Sequence, residues 1–223
     1  DMARRIFMFI AGLLLLTTCF ASTFPDVSDK AKAGYFPLAT DKGTATICTD
    51  SKDYAVVGIA ARMVADDILR VTGQMPAMAT HTSGANTPCV VAGTLGKSSM
   101  MEDMVKQMKI DVSNIRGKWE SYMVTTAVHP KTKNPMLLII GSDRRGTAFG
   151  LTSLCEAMGV SPWYWWADVV PEHKNELYVE SGIFCQGEPS VQYRGIFIND
   201  ERFGGWARWA EQHFEKETGK VGP

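Results

Sequence analysis

Excess charge of either sign is missing from this chain: 23 Lys and Arg stand against 24 Asp and Glu, a net charge of -1 over 223 residues. No basic run and no acidic tail breaks the balance, which excludes broad attraction to nucleic acid or to an anionic membrane as an organising feature. Histidine is scarce. His81, His129, His173 and His213 are scattered without ligand spacing, and each reads as a surface or loop residue. Beyond the N-terminal region the cysteines are Cys48, Cys89, Cys155 and Cys185, with no Cys-x-x-Cys pair, so no metal site is expected. An exported chain permits a disulfide, yet Cys48 and Cys89 sit in apolar strand-like runs where a buried thiol is the commoner outcome.

Nucleotide signatures are missing too. Gly93-Thr94-Leu95-Gly96-Lys97-Ser98 imitates a phosphate loop, but the position five residues before Gly96, where the cradle requires glycine, is Val91. The segment is expected instead to cap a helix through Ser98 or Ser99. Gly58 stands without the other glycines of a dinucleotide fingerprint. No redox or nucleotide cofactor is implied.

What is present begins with an export signal: Arg4 and Arg5, an apolar run from Ile6 to Leu16 that is too short for an ordinary membrane span, then small residues around Ala21 and Ser22. Residues 1–22 are read as this signal and the destination as secreted or periplasmic. Cys19 follows Leu16-Thr17-Thr18, a weak approximation to a lipoprotein cleavage site, which leaves a lipid anchor open. Asp1 before Met2 and an end at Pro223, just after a helical pattern, suggest a piece of a longer reading frame.

Periodicity then places the elements. Thr44–Thr49 favours a strand. Tyr54, Val57, Ala61, Val64, Ile68 and Val71 recur at helical spacing, with Asp50, Ser51 or Asp53 available to cap the start and Gly73 to end the helix. Met75–Thr80 and Pro88–Ala92 read as strands, and Met101, Met104, Val105 and Met108 as a short amphipathic helix. Tyr122–Val128 and Met136–Ile140 form an expected hairpin, whose second strand is apolar throughout and suits a central position covered on both faces. A helix face of Ala148, Leu151, Cys155 and Met158 follows, then a strand near Glu176–Val179.

Chemistry can be carried by three stretches. Trp163-Tyr164-Trp165-Trp166 places four rings in a row, and neither one helix face nor one strand face buries four consecutive rings. Some rings must meet different surfaces, either as a wedge at a domain junction or with Trp165 and Trp166 presenting a face to a sugar. Arg144 and Arg145 begin a helix, where the dipole disfavours cations, so they serve either a structural ion pair or a site. Tyr193-Arg194-Gly195-Ile196-Phe197-Ile198 is a buried strand that ends in Asn199, Asp200 and Glu201. It opens either a barrel whose catalytic groups gather at strand ends or a solvated acidic turn. Gly187-Glu188-Pro189 before it reads as a domain boundary.

Three motifs in order, Gly-Ser-Asp-Arg-Arg-Gly-Thr-Ala-Phe-Gly at 141–150, Gly-Val-Ser-Pro-Trp-Tyr-Trp-Trp-Ala-Asp-Val at 159–169 and Pro-Ser-Val-Gln-Tyr-Arg-Gly-Ile-Phe-Ile-Asn-Asp-Glu at 189–201, resemble glycoside hydrolase family 115. The resemblance implies a fold of α/β (α+β) class: a mixed sheet with flanking helices over residues 24–187, like the second domain of hexosaminidases, then the first strand of a truncated (β/α)₈ barrel at 188–223. It implies an enzyme that removes (4-O-methyl)glucuronic acid from glucuronoxylan by inversion, without a cofactor. Asp200 is the first active-site carboxylate by that match and Glu201 the second, with Asn199, Arg144, Arg145, Trp165 and Trp166 on the substrate side. The remaining acids would come from later barrel strands, so residues 1–223 alone are expected to be inactive. A non-catalytic carbohydrate-binding protein and another barrel glycosidase, such as a hexosaminidase, are the alternatives.

Overall fold

The computed structural model describes residues 24–82 and 87–195, with 208, 211, 212, 214, 215, 220 and 221, and for 165, 166, 214, 215, 220 and 221 the main chain alone. By internal contacts the chain divides into Asp1–Glu188 and Pro189–Pro223. Most described residues of the second unit fall in β11 (Phe214–Glu215) and β12 (Lys220–Val221), which pair antiparallel, and in the segment 189–195.

The first unit is built on a six-stranded mixed sheet in the order β10-β7-β8-β6-β4-β5, comprising β4 (Thr46–Thr49), β5 (Met78–Ala79), β6 (Cys89–Thr94), β7 (Tyr122–Val128), β8 (Pro135–Gly141) and β10 (Ile183–Gln186). Strands β4, β5, β6 and β8 run parallel, while β7 is antiparallel to β8 and to β10. Parallel strands need crossover helices: α1 (Ala55–Thr72) lies between β4 and β5 and α2 (Ser99–Met108) between β6 and β8, while α3 (Arg144–Ala157) follows β8.

The apolar hairpin strand is central, as its composition predicts. Leu137 and Ile139 of β8 enter the core shared with α1 and α3, while Met136, Leu138 and Ile140 enter the core shared with α2. Period-two alternation sends neighbours to opposite faces, and because helices cover both, all five are fully buried. Each contributes roughly 1.5–3 kcal/mol of burial.

A second sheet, order β1-β9-β2-β3, contains β1 (Val27–Ser28), β2 (Tyr35–Thr40), β3 (Gly43–Thr44) and β9 (Leu177–Glu180). The expected single strand at 44–49 is split between the sheets at Ala45, whose N–H donates to Leu38 O, whereas the N–H of Thr46 donates to Pro88 O. β2 was not anticipated within the mixed stretch 22–42. Pro37 weakens the strand pattern, and the β2–β9 register shifts between Pro37 and Ala39. The expected strand 75–80 contracts to β5, two residues long.

Helix α1 follows its apolar stripe and ends at Gly73, φ 73°, whose N–H donates to Leu69 O. Its capping differs from expectation. Tyr54 occupies the cap position without a side-chain bond, because the carboxylates serve neighbouring loops. Asp53 accepts from Tyr54 N and Thr94 N at 2.7 and 2.8 Å. Asp50 accepts from Lys52 N and, on its other oxygen, from Ser98 Oγ, Ser99 Oγ and Met100 N. Ser98 does cap α2, accepting from Met101 N at 3.1 Å.

Candidate functional site

The motif at 141–150 forms a close strand-to-helix junction. A Cβ on Gly141 would lie 2.0 Å from Thr147 Oγ1, one on Gly146 would lie 2.2 Å from Ser121 O, and one on Gly150 would lie 2.6 Å from Ile139 Cγ2. These glycines permit close approach of the helix to the sheet. Asp143 caps α3, its Oδ1 accepting from Arg145 N and Gly146 N, while its Oδ2 accepts from Glu120 N at 2.8 Å. Ser142 locks the same seam, accepting from Ser121 N and donating to Ser121 O.

The two arginines separate in role. Arg145 Nε lies 3.0 Å from Glu120 Oε1, and its guanidinium lies over the Phe149 ring at 5.6 Å. Glu120 is buried and left-handed, φ 51°, so Arg145 is engaged in a structural ion pair with a residue that sequence reading did not single out. Arg144, next along the helix, is exposed.

The phosphate-loop mimic is closed by its own residues. Gly96 N donates to Glu102 Oε1 at 2.7 Å, and Arg116 holds that carboxylate through two 3.0 Å bonds. The Arg116 bond holds the Glu102 carboxyl below its ordinary value against an opposing push from burial, with the Gly96 amide adding a smaller lowering. Lys97 lies over the Tyr54 ring at 5.5 Å. A side-chain carboxylate thus occupies an amide that a nucleotide phosphate would use.

The aromatic run forms α4 (Tyr164–Ala167), with Trp163 at its start and Asp168 left-handed at its end. The rings meet different surroundings, as their crowding requires. Trp163 is 61% exposed, while Tyr164 is half-buried, its ring 4.7 Å from the Arg70 guanidinium. Trp165 and Trp166 lie on this helix, and their side chains are outside the description. Arg70 is paired with buried Asp67 one turn earlier on α1, and Asp67 lies beside the Cys155 thiol of α3. Burial first, then the Asp67 charge, pushes that thiol up. Beyond α4, Lys174 N donates to Val71 O and Lys174 Nζ to Met158 O, both at 2.9 Å. Asp67 and Arg70 escaped the sequence reading; the available signal was an acid inserted beside Val64 and Ile68 in an otherwise apolar stripe, with a cation three residues on.

A cleft of about 680 Å³ lies among Phe24, Asp26, Tyr122, Ser153, Glu156 and Glu180. Cys48, Cys89 and Cys155 are free and buried, and Cys185 is a free thiol at intermediate exposure. His129 is a loop residue, as expected, but a buried one: its Nδ1 accepts from Lys131 N and Thr132 N within the turn after β7. His213, Asn199, Asp200 and Glu201 lie outside the described residues. Among the described residues no group of three His, Cys, Asp or Glu is placed to hold a metal, and no helix is long and apolar enough to cross a membrane.

A mixed parallel-antiparallel sheet flanked by helices on both faces, with a small antiparallel sheet beside it, defines an α/β domain. The chain is similar to a solved glycoside hydrolase family GH115 4-O-methyl-alpha-glucuronidase, BtGH115A, described as specific for decorated arabinogalactans: identity 32%, TM-score 0.65, covering 84% of this chain and 23% of that one. The chain is thus glycoside hydrolase family 115-like, spanning under a quarter of that relative's length. Two further structures match more weakly. The GH20 beta-N-acetylhexosaminidase from Streptomyces coelicolor A3(2) gives 13% identity and TM-score 0.43 over 72% of this chain and 25% of that one. CpGH84D gives 8% and 0.43 over 71% and 23%. At those values neither carries an inference. No protein-family model matches the sequence, and no curated protein matches it.

Proposed function

We propose that this chain contributes the α/β domain and the first barrel strand to an exported glycoside hydrolase that removes (4-O-methyl)glucuronic acid side chains from xylan with inversion. The observation that carries this reading is the 32% identity, sustained over 84% of the chain, to a GH115 glucuronidase. Inversion requires a carboxylic acid that protonates the leaving xylan oxygen and a carboxylate that takes a proton from the attacking water, about 6.5–9.5 Å apart. Asp200 supplies the first active-site carboxylate, with Glu201 second and Asn199 beside them. The remaining acids come from strands beyond Pro223, in a barrel that opens at 188–223. Of the two arginines, Arg144 is the better partner for a uronate carboxylate, since Arg145 already pairs with Glu120. Trp165 and Trp166 supply sugar-facing rings.

Because the solved relative acts on decorated arabinogalactans, the assay offers both polymers. Full-length protein should release free (methyl)glucuronic acid from glucuronoxylan, and Asp200→Asn should abolish release. Release from arabinogalactan alone would replace xylan as the substrate, and release from neither would reject the enzyme class. Residues 1–223 alone should give no turnover, since an incomplete barrel leaves strand edges and apolar faces uncovered.

A further inference from the structure

We propose that Arg70 is the positioning residue of the aromatic helix α4, acting through Tyr164. This rests on the reading that the aromatic run faces substrate. A four-residue helix has too few internal hydrogen bonds to fix its own orientation, so its placement depends on what its side chains and flanks touch. Tyr164 lies against the Arg70 guanidinium, 4.7 Å from ring centroid to cation. A cation over a ring face, out of water, is a directional attraction. Arg70 is itself fixed. Its side chain is 28% exposed, it pairs with Asp67, whose side chain is 9% exposed, and Asp67 lies beside the Cys155 thiol in the seam between α1 and α3. The distal flank is tied to the same place, because Lys174 bonds the carbonyls of Val71 and Met158 near the C-terminal ends of α1 and α3. The segment 163–174 is therefore a strap fastened at both ends to the α1–α3 seam, with Trp163 exposed on it. Arg70 fastens the end that carries the rings. Neither Arg70 nor Tyr164 needs to touch sugar for this to set the attitude of Trp165 and Trp166.

The test uses full-length protein labelled with 5-fluorotryptophan, each ¹⁹F resonance assigned by single Trp→Phe changes. Arg70→Met should shift the resonances of Trp163, Trp165 and Trp166 and leave Trp119 in place. On uronate-decorated oligosaccharide it should raise KM about fivefold or more while kcat stays within about twofold, the pattern of lost ground-state binding. Tyr164→Leu should reproduce both effects, and the double variant should be no worse than Arg70→Met alone, since the Arg70–Tyr164 contact is already lost in that variant. Arg70→Lys should recover part of the loss, because an ammonium still sits over the ring but lacks the planar guanidinium that reaches Asp67 and Tyr164 together. Unmoved resonances for the three tryptophans, additive single effects, or a fall confined to kcat would overturn the assignment. Absence of uronate release by the unsubstituted protein would reject the proposed function instead, while the ¹⁹F comparison would still decide the role of Arg70.

Discussion

Gly146 Cα packs so closely on the Ser121 main chain that a Cβ there would come within 2.2 Å of the Ser121 carbonyl oxygen. The obstacle is backbone, already held by Ser142 N and Ser142 Oγ, so it cannot yield as a flexible side chain would. Gly146→Ala should therefore destabilise by about 1–3 kcal/mol or more. Gly58, on the exposed face of α1 with nothing near its Cβ position, should do the opposite: Gly58→Ala should stabilise by about 0.5–1 kcal/mol. Urea unfolding of both variants checks the pair, and a stabilised Gly146→Ala would show that helix propensity rather than the close approach decides.

Arg145 and Arg144 should respond differently to removal. Arg145→Ala leaves the buried Glu120 carboxylate without its ion-pair partner, and should cost about 1–2 kcal/mol, discounted because Arg145 is itself 53% exposed. Arg144→Ala should change stability by no more than about 0.5 kcal/mol. In full-length protein Arg144→Ala should nevertheless weaken uronate binding. Thermal melts and product-inhibition constants measured on the same samples separate the two effects.

Acid should weaken the attachment of α2. Burial opposes ionisation of Asp50, but bonds from the amides of Lys52 and Met100 and the hydroxyls of Ser99 and Ser98 outweigh it, so its carboxyl is held below its ordinary 3.8. Glu102 is held below its ordinary 4.5, first by Arg116. With folded values depressed, the stability these groups contribute is complete above those ordinary values and lost as pH falls through the folded ones. Denaturant midpoints should thus decline below about pH 4.5, and Asp50→Asn should flatten the part of the decline that lies below 3.8. At neutral pH, Asp50→Ala should cost about 1 kcal/mol through the lost capping bonds.

Thiol labelling should discriminate among the described cysteines. Cys48 and Cys155 are buried with their thiols pushed up, Cys48 first by the neighbouring Cys89 thiol and then by burial. With Cys89 also buried, none of the three should react with iodoacetamide before unfolding. Cys185, on the edge strand β10, should label first, though slowly, because burial and then Asp111 raise it. Peptide mapping of a timed labelling series reads the order directly.

Elements with long, regular patterns were legible. The α1 stripe, the apolar β8 strand, the Ser98 cap and the Gly73 stop all appear where spacing and chemistry put them, since each rests on contacts within one element or on the need to bury one face. The small sheet was not legible, because β1 and β3 are two residues long and Pro37 disrupts β2. The helix cap differs from expectation because Asp53 meets Thr94, 41 residues on, and Asp50 meets Ser98 and Met100, 48 and 50 residues on. At the candidate site, crowding alone said that four adjacent rings must part company, and Trp163 and Tyr164 do. That Tyr164 meets Arg70, and that Arg145 is taken by Glu120, required the fold.

By itself, then, the sequence determined the layered α/β character, the central strand and the motifs that carry the family 115 resemblance, because periodicity and glycine placement act locally. Only the tertiary structure decided which partners the distant side chains meet. The contact of Arg70 with Tyr164 and the ion pair of Arg145 with Glu120 depend on where separate elements come to rest, and that is set by the burial of apolar faces, which carries no record in the spacing of these residues.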